Sequence, residues 1–271
     1  MRVKFMVKRF SSKIRSDKKS LVITIITVSY NSEKYIEDAI KSVLAQKNVD
    51  LEYLIIDGKS TDKTMAIIQN FKNKIKKIVC EPDRGIYYAM NKGLGLATGD
   101  IIGFLNSDDV YNGDHVLQTV MKAFQDKKVD ACYGDLIYFK PYNMDKISRY
   151  WKSSNFIPKS FSKGWMPPHP TFFVRKNIYE KLGFFNTRYS IAADFDLMLR
   201  FLQVGNINSI YIPDILVKMR LGGVSNRSFR NIFRQNREVY NSLKTNGQPI
   251  YWYNLFIKKF FKKASQYLRK P

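Results

Sequence analysis

Residues Ala97-Thr98-Gly99-Asp100-Ile101-Ile102-Gly103-Phe104-Leu105-Asn106-Ser107-Asp108-Asp109 decide the fold. The run Ile101–Leu105 is apolar, short, preceded by a glycine turn and cut off by four polar side chains, which reads as a buried strand. Three similar runs lie upstream: Leu21–Val28, Leu51–Ile56 and Ile75–Cys80. Between them the pattern turns helical. Glu33–Gln46 carries a stripe of Tyr35, Ile36, Ala39, Ile40, Val43 and Leu44. Lys63–Phe71 follows Ser60 or Thr61 as the expected N-cap, and Arg84–Leu96 stops before Gly99. Strands alternating with helices predict an α/β domain, with a mostly parallel central sheet and helices on both faces.

Ligands of open α/β sheets bind beyond the carboxyl ends of the strands. All four ends are polar here: Ser29-Tyr30-Asn31 after the first strand, Asp57 after the second, Glu81 and Asp83 after the third, Asn106-Ser107-Asp108-Asp109 after the fourth. Turn chemistry explains any one of these. It explains Asp108-Asp109 less well, because adjacent carboxylates repel unless a cation lies between them or one binds a proton. A hard divalent cation, Mg²⁺ or Mn²⁺, suits such a pair, since it takes one or two carboxylates and completes its shell with water and phosphate oxygens. No GxxxxGK loop is present, Gly93, Gly95 and Gly99 miss the dinucleotide spacing, and His115 and His169 are too few for zinc.

Downstream, Val116–Phe124 reads as a helix and Ala131–Phe139 as a strand. Residues 140–170, rich in proline and aromatics, read as long loops. Phe195–Val204 is predicted helical, and Ser209–Ile212 and Ile215–Met219 are predicted strands. Asp194, in Ala192-Ala193-Asp194-Phe195-Asp196, stands where an N-cap would; the other reading is a general base at a helix entrance.

The 271 residues carry a net charge of +23. The excess sits at the ends: residues 1–20 hold eight Lys/Arg and one acid, residues 226–271 eleven and one acid. That distribution argues against a basic groove through the core, and no nucleic-acid partner is expected. From Tyr253 onward Phe256, Phe260 and Phe261 alternate with paired lysines, the pattern of a basic amphipathic helix. Docking on the domain is one reading; an in-plane helix on an anionic membrane is preferred, because the aromatics lie between lysine pairs. Two cysteines and no apolar leader fit a cytoplasmic protein, peripheral on the inner face of the cell membrane. The expected division is a basic arm at 1–20, a domain at 21–225 with a nucleotide-binding half at 21–110 and an acceptor half at 111–225, and a helical tail at 226–271.

The motifs Thr27-Val28-Ser29-Tyr30-Asn31, Asp57-Gly58-Lys59-Ser60-Thr61-Asp62, Glu81-Pro82-Asp83-Arg84-Gly85, Ala89-Met90-Asn91-Lys92-Gly93 and Leu105 through Asp109 resemble, in order and spacing, those of family 2 glycosyltransferases. The resemblance implies the A-type glycosyltransferase fold and inverting transfer of one sugar, of the hexosyltransferase type, from a nucleotide-diphosphate sugar, expected to be a UDP-sugar. It implies that Val28, Ser29, Tyr30, Asp57 and Asp83 border the nucleotide, with Asn91 and Asn106 from the same motifs. By the same resemblance Asp108 binds the ribose, Asp109 the divalent cation, and Asp194 is the catalytic base. Pro168-His169-Pro170-Thr171 resembles a segment beside the acceptor; His169 and Asp196 are assigned there.

Two departures stand out. Many relatives have a second acid where Gly58 stands, and Arg220-Leu221-Gly222-Gly223 lacks the histidine of the family's Arg-x-His. The Gln-x-x-Arg-Trp signature of processive synthases is absent, which favours single additions. Similarity to bacterial relatives implies a polyprenyl-diphosphate-linked glycan acceptor for capsule, exopolysaccharide or O-antigen, with a homodimer as a candidate assembly. Two other classes compete. A nucleotidyltransferase would need a glycine-rich basic loop where Ser29-Tyr30-Asn31-Ser32-Glu33 stands. A non-enzymatic membrane or nucleic-acid binder explains the charge but not the strand ends.

Overall fold

The computed structural model describes residues 20–140, 143–221 and 229–250. Nine strands form one sheet. Its first half is parallel: β1 (Val22–Ser29) lies between β2 (Asp50–Asp57) and β4 (Ile101–Phe104), with β3 (Lys77–Cys80) outside β2. The second half is mixed. β8 (Phe173–Arg175) runs antiparallel to β4 and to β6 (Ala131–Lys140), β9 (Ser209–Arg220) runs parallel to β6, and the short β5 (Val110–Tyr111) is antiparallel to β9.

The alternation along β1 and β2 sends successive side chains to opposite faces. Ile23, Ile25, Tyr53 and Ile55 face one core with α1 (Ile36–Leu44), α2 (Thr64–Gln69) and α4 (Val116–Ala123). Ile26, Val28, Leu54 and Ile56 face the other, with α3 (Ile86–Leu96), α5 (Lys176–Leu182), α6 (Ala193–Met198) and α7 (Phe229–Thr245). Two of the three glycines that miss a dinucleotide fingerprint, Gly93 and Gly99, have packing reasons. A Cβ on Gly93 would lie 2.5 Å from Ile26 Cγ2, and one on Gly99 would lie 2.5 Å from Thr24 Oγ1 and 2.9 Å from the Val22 carbonyl.

Several expectations change. Within 140–170, residues Asn143–Trp151 form β7, which closes a hairpin on β6. The two strands expected in 209–219 are one, β9, with register irregularities opposite Gly134–Asp135. Neither Ser60 nor Thr61 caps α2; the Asp62 carboxylate takes the Thr64 N–H at 2.9 Å. The helix after Asp194 is α6 followed by a π-helical turn at Leu199–Val204. The boundary drawn at 225 falls short of the folded body, because α7 buries Val239 and Leu243 in the second core. The arm at 1–19 and the amphipathic stretch from Tyr253 lie outside the described residues. Among the described residues, no helix is long and apolar enough to cross a membrane.

Candidate active site

At the carboxyl end of β1 the chain turns sharply. Asn31 adopts left-handed backbone (φ 48°), as does Lys59 (φ 64°) after β2. The two turns are laced together: Asn31 N–H donates to Ser60 Oγ at 2.9 Å, and Asn31 Oδ1 accepts from Thr61 N–H at 2.9 Å. Asp57 is fully buried beneath them. Its carboxylate accepts from Ser29 Oγ (2.8 Å), Ser60 N–H (2.8 Å) and Ser60 Oγ (2.6 Å). Asp57 and Ser29 thus shape the turn from below, whereas Tyr30, 63% exposed, is the side chain presented outward. Val28 is buried behind it.

After β3, Lys92 of α3 donates to Asp83 Oδ1 at 2.8 Å and pairs with Glu81 at 2.6 Å. The other oxygen, Asp83 Oδ2, is buried without a hydrogen-bond partner, an acceptor ready for a donor.

After β4 comes the acidic corner. Asp109 is fully buried; Asn106 Nδ2 donates to its Oδ2 at 2.9 Å and Arg220 N–H to its Oδ1 at 3.3 Å. Burial, and then the charge of Asp108, push its carboxyl well above the usual carboxylate range. Asp108 is only partly buried, so it is the more open of the two. The corner is strapped by Arg220, which sequence reading weighed only for a missing histidine. Its Nε donates to the Asp108 carbonyl at 3.2 Å, its Nη2 pairs with Asp38 at 3.0 Å, and its guanidinium lies over the rings of Tyr35 (4.2 Å) and Phe139 (4.7 Å). Among the described residues no group of three or more His, Cys, Asp and Glu could enclose a metal ion. Two adjacent carboxylates, one of them buried at a cost that a positive partner would relieve, fit a hard cation that takes its remaining oxygens from phosphate and water.

Asp194 is the second residue of α6; the N-cap position belongs to Ala192. Asp194 Oδ1 accepts from Phe195 N–H at 2.7 Å and lies 3.4 Å from Tyr87 Oη of α3, which donates to the Ile191 carbonyl at 2.8 Å. Burial, and then the charge of Asp194, hold the Tyr87 phenol well above its ordinary range, so it stays a neutral donor.

Four assigned residues have other work. Asn91 is not free for a nucleotide: its amide clamps the Phe185 main chain, donating to the carbonyl and accepting from the N–H, each at 2.9 Å. Asp196 is no acceptor ligand. It is 2% exposed and bonds Arg200 Nε (2.8 Å) and Ser242 Oγ (2.7 Å). His169 is buried between the rings of Phe104 and Phe185, and burial lowers its pKa to about 4. It is a neutral packing group behind the site wall. Asn106 donates to Asp109 while remaining partly exposed.

Residues 24–192 match the profile described as glycosyl transferase family 2. Among curated proteins, the chain is 30% identical over 184 residues to an uncharacterised glycosyltransferase of Mycobacterium tuberculosis, covering 66% of this chain and 68% of that one. It is 27% identical over 210 residues to a PGL/p-HBAD biosynthesis glycosyltransferase of Mycobacterium bovis, covering 76% and 79%. Solved structures share the fold. Staphylococcus aureus TarS 1–349 gives a TM-score of 0.63 at 18% identity, over 92% of this chain and 71% of that one. The mannosyltransferase PcManGT of Pyrobaculum calidifontis, in complex with GDP-Man and Mn²⁺, gives 0.62 at 19% identity, over 92% and 70%. Against a longer TarS chain the match spans 43% of its length.

Proposed function

Because the chain belongs to glycosyl transferase family 2, we propose that it moves a single sugar from a nucleotide-diphosphate donor to a glycan hydroxyl with inversion, Asp194 serving as the base. That it is a glycosyltransferase using a nucleotide-sugar donor follows from the family; the remainder is our reading. The observation that carries it is the joining of two acidic sites through one helix. α3 begins just after Asp83, holds that residue through Lys92, and meets Asp194 through Tyr87.

In this mechanism the acceptor hydroxyl attacks the anomeric carbon from the face opposite the diphosphate. Its oxygen–carbon bond forms as the bond from that carbon to the phosphate oxygen breaks, so the configuration inverts. Asp194 takes the hydroxyl proton, an effect worth about 10²–10⁴-fold. Asp83 accepts a hydrogen bond from the donor through its unpartnered oxygen. Asp108 would bind the donor's ribose, and Asp109 would hold a divalent cation, Mg²⁺ or Mn²⁺, which when bound supplies Lewis-acid neutralisation of the leaving diphosphate.

UDP is the favoured nucleotide, and the favoured acceptor is a lipid-linked glycan at an anionic membrane surface, in keeping with the lysine- and aromatic-rich sequence after Tyr253. The test is a panel of UDP- and GDP-sugars screened for binding with and without Mg²⁺ or Mn²⁺, followed by turnover of the best donor. Asp194→Asn should keep donor affinity and lose turnover by about 10²-fold or more. Asp109→Ala should lose the cation-dependent part of binding. Turnover near wild type in Asp194→Asn would exclude it as the base.

A further inference from the structure

Between residues 226 and 271 the chain contains one acid, Glu238, among eleven Lys/Arg. A lone carboxylate in such company would be expected at the surface beside Arg234 or Arg237. Instead α7 turns it inward, 7% exposed. Its two oxygens collect four hydrogen bonds from three consecutive residues. Oε1 accepts from Ser190 N–H (3.1 Å) and Ser190 Oγ (2.9 Å); Oε2 accepts from Ile191 N–H (2.9 Å) and Ala192 N–H (2.9 Å). A buried carboxylate is tolerable only when its acceptor capacity is met, and this one is met by the main chain that leads into α6. Two residues past Ala192 stands Asp194.

The rest of the contact tightens the same hinge. Tyr87 bonds the Ile191 carbonyl from the opposite element, and on the next turn of α6 Asp196 takes Ser242 Oγ and, at 3.3 Å, Asn246 Nδ2. The entrance of α6 is therefore clamped between α3 and α7, and the largest share of its bonds from α7 comes through Glu238.

We propose that Glu238 is a positioning residue for the reaction: it fixes the Ser190–Ala192 main chain and so holds Asp194 in line with the acceptor hydroxyl, without touching a reactant. The proposal rests on Asp194 being the base. Geometry sets its worth, since a displacement of about 1 Å at a reacting group costs about 10²-fold. Glutamine is the informative replacement. It keeps the shape of the side chain, but its amide nitrogen meets donors where the glutamate oxygen met them as an acceptor.

The experiment uses the full chain in four variants, Glu238→Gln, Ser190→Ala, Asp194→Asn and Glu238→Gln combined with Asp194→Asn. Hydrogen–deuterium exchange should show the amides of 190–192 exchanging about 10-fold faster in Glu238→Gln, a step consistent with losing charged hydrogen bonds. Exchange in β1 and β2, and affinity for UDP or GDP, should not change. With the donor found in the panel, kcat should fall about 10- to 100-fold at constant donor KM. In the Asp194→Asn background the same substitution should cost nothing further. Should Glu238→Gln fail to fold, Ser190→Ala, which removes a single hydroxyl bond, should move exchange and kcat the same way by less. Unchanged exchange at 190–192, or a kcat loss that adds to that of Asp194→Asn, overturns the positioning role. Wild-type turnover in Asp194→Asn alone overturns the base assignment, and with it the catalytic part of this proposal, while the exchange result still judges the clamp.

Discussion

At the scale of single residues, a polar side chain at a strand end can shape a turn or face a ligand, and the two are distinguished by where its bonds go. The strand-end acids were legible because an apolar run stopping at a polar cluster is a local signal. The clamps were not. Asn91 meets Phe185 across 94 residues, and Asp196 meets Ser242 across 46, so nothing near either one in sequence marks its partner. His169 is the residue whose role can be read from acid titration. Burial lowers its pKa to about 4, below the value of about 6.5 for an unfolded histidine. The unfolded chain therefore binds the proton first. Stability from this group is full above pH 6.5 and is lost as pH falls toward 4, by on the order of 3 kcal/mol. Urea unfolding between pH 7 and 4 should show this slope, and His169→Gln should flatten it.

Among elements, the parallel half was legible because buried strands and amphipathic helices alternate with clear periods. β7 was hidden for a physical reason: among the described residues it pairs with β6 alone, Ile147 on it is 41% exposed, and its buried side chain Arg149 lies over the Tyr138 ring, so no apolar period marks the strand. The split expected between Ile212 and Ile215 was overruled by pairing with β6, which absorbs the irregularity opposite Gly134. A Cβ at 134 would come within 2.6 Å of Leu216 Cγ. Helix α3 offers a test of packing against propensity. Gly93→Ala gains about 1 kcal/mol of helix propensity. It also sets a methyl 2.5 Å from Ile26 Cγ2, between α3 and β1, where overpacking costs about 1–3 kcal/mol. The second effect should win: thermal unfolding of Gly93→Ala should show a lower midpoint, and the cost of Gly93→Ala should shrink in an Ile26→Ala background, which removes the opposing methyl.

For the whole molecule, charge misled where burial did not. The sequence assigned everything after 225 to a basic tail because cations dominate it. Yet α7 presents Val239, Ser242 and Leu243 to the core and Glu238 to the entrance of α6. Losing the two apolar side chains alone removes about 3–6 kcal/mol, comparable to the 5–15 kcal/mol by which a typical domain is stable. A chain ending at residue 225 should therefore be recovered as aggregate or melt without a cooperative transition. A chain ending at residue 250, which keeps α7, should melt cooperatively and well above any transition of the shorter chain, a comparison that calorimetry makes directly.

The inward turn of Glu238 also bears on how this protein can be handled at the bench. Stretches dense in lysine and arginine are routinely trimmed or recharged to improve solubility, on the premise that they are dispensable wrapping. Here a rule that exchanged ionisable side chains by segment would strip out, along with the wrapping, the acceptor of four hydrogen bonds at the entrance of α6 and the residue proposed to hold Asp194 in place. The resulting enzyme would look well behaved and turn over slowly.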